Sequence, residues 1–131
     1  MKIALIGPGI MPIPPEGWGG VEHLIWNFYL QLKKVGDEPV IVNTKNLNEI
    51  ISTLNEQDFD AVHLHYDQYA NIMPYLKCRK QMITSHYPYL EDPEPQYVFL
   101  YDLLKGTGSH IVSLSDRIKD AFIDRDIPAD D

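Results

Sequence analysis

Positive charge is scarce in this chain: its 131 residues hold 11 Lys and Arg against 19 Asp and Glu, for a formal net charge of −8. That balance argues against nucleic acid as a partner, because such binding is driven by neutralising phosphates. Cysteine is nearly absent. The lone Cys78 excludes an internal disulfide framework and fits a reducing compartment. Long apolar runs are missing too. The short run Ile3–Ile6 is interrupted at once by Gly7-Pro8-Gly9, too early for a secretory signal. No stretch approaches the roughly 20 apolar residues that cross a bilayer. These absences predict a cytoplasmic chain with no transmembrane segment.

What is present is ordinary for a globular domain. Hydrophobic residues make up 44% and charged ones 23% of the chain, enough for one domain to bury a core without disulfides or a metal. The apolar pattern alternates between two kinds of segment. Ile3–Ile6, Pro39 to Asn43, Ala61 to Tyr66, Gln81 to His86 and His110 to Leu114 read as short buried strands. Between them, Val21 to Val35 carries Val21, Leu24, Ile25, Phe28, Leu32 and Val35 at helical spacing, with Gly36 at the stop position. Leu47 to Leu54 reads as a second helix, Ile72 to Leu76 as a short helical turn and Tyr97 to Leu104 as a further helix. Asp116 to Ile123 reads as a last helix, with Ser115 as its N-cap. Strand–helix alternation with short connections predicts an α/β, Rossmann-like, doubly wound parallel sheet with helices on both faces. The first strand is expected in its middle.

Ligands of such sheets sit outside the carboxyl ends of the strands. The first of these places is the richest. Gly7 to Gly20 is too long for a simple turn, is stiffened by prolines, and ends in Gly19-Gly20 directly before a helix. Free N–H groups at a helix N-terminus suit a phosphate or carboxylate. A rigid surface loop is the plainer alternative, but long loops in compact domains are usually functional. Two nucleotide signatures are absent: the third glycine of Gly-x-Gly-x-x-Gly, and any Gly-Lys-Ser/Thr.

The third strand ends in His63-Leu64-His65-Tyr66-Asp67. Alternation puts both histidines on one face, with His65 nearer the mouth. His-x-His spacing suits a metal, but no ligand pattern completes it, and no metal is expected. His63 reads as a satisfied core histidine, whereas His65 is either a pocket or a packing residue. His86 closes the fourth strand, where it either donates to a ligand or caps the strand end. The acidic stretch Glu91-Asp92-Pro93-Glu94-Pro95 reads as a solvated loop, and Cys78 as an incidental thiol despite Lys77, Arg79 and Lys80 beside it. Trp18, Tyr66 and Tyr87 fall at the sheet mouth, where rings stack well on the C–H faces of sugars.

Several of these segments coincide with one family. Lys2 to Pro8 and then Pro12 to Glu22, with its Gly-Gly-Val-Glu, resemble the opening of the retaining family 4 glycosyltransferases. Leu32 to Val40, Phe59 to His65, Met82 to His86, and Ile111 to Ser115 with Ile118-Lys119 resemble that family's following steps in order. Asp37 stands where the family more often has His. The resemblance covers essentially the whole chain. It implies one half of a GT-B fold and an enzyme moving a hexose from a nucleotide sugar to an acceptor hydroxyl with retention.

Carried over by position, Gly20 with Gly19 would present N–H groups to the donor diphosphate or the reaction centre, and Trp18 would join them as a substrate-binding residue. His86 would be the catalytic-site residue that orients the donor sugar. His65, Tyr66 and Asp67 would line the acceptor side, and Glu22 would brace the loop. The family's C-terminal half, with its Glu-x7-Glu motif and basic residues, has no counterpart here. The resemblance therefore implies that residues 1–131 are an N-terminal acceptor-side domain whose partner is a C-terminal nucleotide-sugar domain, and that alone it is inactive. No cofactor or metal is implied, the nucleotide sugar being a substrate; peripheral membrane contact is compatible with it. The competing expectation is a sugar- or partner-binding subunit of a split transferase, without catalysis of its own. A flavodoxin-like binding protein is a third.

Overall fold

The strands richest in apolar residues lie where both their faces are covered. In the computed structural model, which describes residues 1–86, 104, 106–112 and 120, β1 (Lys2–Gly7) and β3 (Ala61–Leu64) are central. All of β3 and the last four residues of β1 are buried, as expected for strands sandwiched between layers. β2 (Glu38–Asn43) buries only Pro39 and Val42 and forms one edge. β4 (Gln81–Thr84) follows β3, and β5 (His110–Val112) closes the sheet. The order is β2-β1-β3-β4-β5, with every pair parallel.

The chain thus starts in the middle, steps to one side for β2, and crosses back over β1 for β3. That reversal opens a crevice between the carboxyl ends of β1 and β3. α1 (Gly20–Lys34) packs against β1 and β2. Its Phe28 ring meets His63 and His65 at centroid distances of 5.9 and 5.7 Å, on one face of the sheet. The opposite face takes α2 (Leu47–Asn55) and a 3-10 helix over Asp67–Tyr75. There Ile50, Leu54, Ile72 and Met73 pack on Ala4, Ile6, Val62, Leu64 and Ile83, with Leu104 joining the cluster.

Helix ends follow their residues. Gly36 has φ +94°, and Gly36 N–H and Asp37 N–H donate to the carbonyls of Lys33 and Leu32. This paired arrangement uses a glycine's left-handed freedom to close α1. α2 opens with the Asn46 side chain accepting from Glu49 N–H at 3.1 Å.

Some boundaries differ from expectation. The third and fourth strands end at Leu64 and Thr84, so His65 and His86 sit just past them. The turn expected over Ile72 to Leu76 is the end of the longer 3-10 helix. Val35 is the C-cap of α1 and is exposed rather than part of its buried face. The helices expected over Tyr97 to Leu104 (apart from Leu104) and over Asp116 to Ile123 (apart from Asp120) lie outside the described residues. So do the Glu91 to Pro95 loop, Tyr87, and the strand beyond Val112.

Candidate functional site

The glycine- and proline-rich loop after β1 is stitched to the sheet mouth. Asn43, the last residue of β2, accepts from Gly9 N–H through Oδ1 and donates from Nδ2 to the Met11 carbonyl, each at 2.8 Å. The Tyr69 hydroxyl donates to the Pro8 carbonyl at 2.6 Å, and burial raises its pKa. His23 of α1 donates from Nε2 to the Gly17 carbonyl at 2.9 Å. At Gly9 the backbone has φ +73°, and a Cβ there would collide with the backbone of Thr44 and Lys45. The loop therefore lies directly on the turn between β2 and α2, and only glycine fits that contact.

Where the loop meets α1, Gly19 is the N-cap and Gly20 the first helical residue. A Cβ on Gly19 would stand 3.2 Å from Glu22 Oε2, whereas a Cβ on Gly20 would meet nothing within 4 Å. Gly20 thus opens onto free space at a helix N-terminus, where N–H groups and the helix dipole favour an anion. Glu22 is buried at 6% exposure. Trp18, at the end of the loop, is 87% exposed.

Three imidazoles form a row that starts at His63 inside β3 and runs past the carboxyl ends of β3 and β4 to His65 and His86. The His63 and His65 rings are tilted to each other at a centroid distance of 4.0 Å, and His65 and His86 stack at 5.3 Å. His63 Nε2 bonds Thr84 Oγ1 at 2.7 Å, and His65 Nδ1 bonds His86 Nε2 at 3.1 Å. His65 is 1% exposed, and its Nε2 has no hydrogen-bond partner among the described residues. Burial, reinforced by the neighbouring imidazoles, pushes His63 down to about 4 and His65 down to about 2. Both are neutral near pH 7. His86 is half-buried, and desolvation lowers its pKa against the opposing pull of Asp67 and Glu22. The charge of Glu22, in the first turn of α1, thus reaches His86.

The residues singled out in the sequence divide accordingly. His65 and His86 are brought together, and His63 is the core histidine expected of it. Gly19 and Gly20 stand at the helix start and Trp18 on the exposed loop. Asp67 is buried and accepts a hydrogen bond from the Ser85 hydroxyl at 2.7 Å. Tyr66 is half-buried, its ring edge-on to Tyr69 at 4.6 Å. Sequence reasoning passed over Asn43, Tyr69 and Ser85. An amide ending the strand beside a glycine-rich loop was the available signal for Asn43. Among the described residues, no cluster of three or more His, Cys, Asp or Glu side chains is arranged to hold a metal ion. No described helix is long and apolar enough to cross a membrane.

A doubly wound, wholly parallel α/β sheet is the class of protein defined by these features. Within that class the fold is similar to that of AviGT4, a glycosyltransferase involved in avilamycin A biosynthesis, with a TM-score of 0.57 and 20% sequence identity. The match covers 66% of this chain and 32% of that one, so this chain aligns with about a third of the neighbour's length. No protein-family model and no curated protein matches the sequence.

Proposed function

We propose that this chain is the acceptor-side half of a retaining glycosyltransferase of the GT-B type, acting on a nucleotide sugar and an acceptor hydroxyl. The observation that carries the reading is the His65–His86 pair, bonded to each other beyond the carboxyl ends of adjacent strands and within reach of the charge of Glu22 in the first turn of α1. In this reading Gly19 and Gly20 offer N–H groups to the donor diphosphate and stabilise the charge that develops on the leaving group. His86 binds a hydroxyl of the transferred sugar. His65, Tyr66 and Asp67 shape the acceptor side, and Trp18 supplies an exposed ring for a sugar face. The fold likeness to AviGT4 supports the same reading, and its coverage of a third of that chain fits a second domain supplying the nucleotide site.

The test is transfer from a panel of nucleotide sugars, measured on the protein isolated from its native source so that any further domain or partner subunit is retained. His86→Ala is expected to lower turnover about 10- to 100-fold, the range for losing one polar contact to the transition state. Gly20→Val is expected to weaken donor use without unfolding the chain, since a side chain there enters open space. Unchanged turnover in both variants would remove these residue roles.

A further inference from the structure

The bond between His65 and His86 does more than pack two rings. We propose that His65 is a positioning residue that holds His86 in the tautomer carrying its proton on Nδ1, so that His86 meets its ligand as a hydrogen-bond donor to an oxygen. The inference rests on the reading of His86 as the group that binds the sugar, and it adds which proton is offered and what fixes it.

A neutral imidazole has one N–H and one lone pair. Only one proton can therefore lie between His65 Nδ1 and His86 Nε2, which are 3.1 Å apart. If His65 Nδ1 carries it, His65 Nε2 is a bare lone pair, His86 Nε2 accepts, and the proton of His86 must sit on Nδ1. If His86 Nε2 carries it, the proton of His65 moves to Nε2. That atom is buried and has no partner among the described residues. The rings beside it, Phe28 at 5.7 Å and His63 at 4.0 Å between centroids, present a hydrocarbon face and an imidazole whose Nε2 is already bonded to Thr84. A buried N–H without an acceptor is among the rarest unsatisfied groups in proteins. The first arrangement avoids it.

The same constraint acts on the cationic form of His86. With both ring nitrogens protonated, His86 Nε2 must donate to His65 Nδ1, which again forces the orphaned N–H onto His65. His65 cannot relieve this by taking up a proton, because it is buried with another imidazole 4.0 Å from its ring. The charged and titratable groups acting on His86 are Glu22 from α1, Asp67 from the 3-10 helix, and His65 and His63 from the β3 end. Burial of the ring opposes the cation and both carboxylates favour it, while His65 and His63 are neutral near pH 7 and add no charge.

Imidazole 15N chemical shifts of the full chain near pH 7.5 test the idea directly. The expected result is a protonated nitrogen at Nδ1 in both His65 and His86. In His65→Phe, which keeps an aromatic ring but removes the donor, His86 is expected to revert towards Nε2–H, and its titration midpoint to rise. His65→Asn, which places an amide N–H near the former Nδ1, is expected to restore the Nδ1–H form. A wild-type His86 protonated at Nε2 overturns the proposal whether or not any variant folds, and so does an unchanged His86 tautomer in a folded His65→Phe protein. No transfer from any nucleotide sugar, alongside Nδ1–H His86, removes the glycosyltransferase reading but leaves the tautomer lock standing. Transfer alongside Nε2–H His86 does the reverse.

Discussion

At the scale of single residues, the buried histidines tie stability to pH. The folded pKa of His63 is about 4, below its ordinary 6.5, so the unfolded chain takes up a proton that the folded one refuses. Stability is full above pH 6.5, falls as the pH drops from 6.5 towards 4, and loses nothing more to this group below that. At pH 5 the loss from His63 alone is on the order of 2 kcal/mol, and His65 acts in the same direction. Urea unfolding at pH 7 and pH 5 reads this loss, and His63→Gln should flatten the dependence. A midpoint that stayed constant or rose on acidification would contradict it. Two glycines provide a second contrast. Gly9→Ala must adopt a left-handed backbone and press on Thr44 and Lys45, and should cost roughly 2 kcal/mol or more. Gly20→Ala enters open space in the first turn of α1 and should stabilise by about 0.5 kcal/mol. Thermal melts of the two variants should move in opposite directions.

Among the elements, α2 rests on its cap. Asn46→Ala removes the bond to Glu49 N–H and should cost about 1 kcal/mol in denaturant unfolding, whereas Asn46→Asp should keep most of it. The periodic apolar pattern of Leu47 to Leu54 was sufficient to find this helix. The same is true of the buried strands, whose continuous Val, Ile and Leu runs admit little else. The 3-10 helix was only half legible. Its hydrogen bonds repeat every three residues, so Asp67 to Ala70 shows no 3.6-residue apolar period. The strand ends were overrun for a related reason. His65 and His86 continue the alternation of side chains, and only the tertiary arrangement shows that ladder pairing has stopped before them.

For the molecule as a whole, strand alternation announced a parallel sheet and a central β1, but not the positions of β4 and β5. Those depend on which way each crossover turns, which no local residue encodes. The pairing of His65 with His86 was hidden for the same reason, since it exists only because β3 and β4 are neighbours. Each histidine could be named as a candidate, but not their bond. The layout also sets an order of opening. Amides of β1 and β3, buried on both faces, should exchange most slowly with solvent, and those of β2 faster. Hydrogen exchange followed by mass spectrometry would report this. Equal protection across the three strands would mean that the sheet opens as one unit.

The seam between Gly9, Asn43 and the Thr44–Lys45 turn also bears on engineering. Two stretches far apart in the chain are held in register there by one amide and one missing methyl group. A loop of another length or composition cannot be exchanged for residues 7–20 alone. The transplantable unit is the loop together with the end of β2 and Tyr69. A chimera that carries the loop without Asn43 should fold its sheet but present a misaligned crevice.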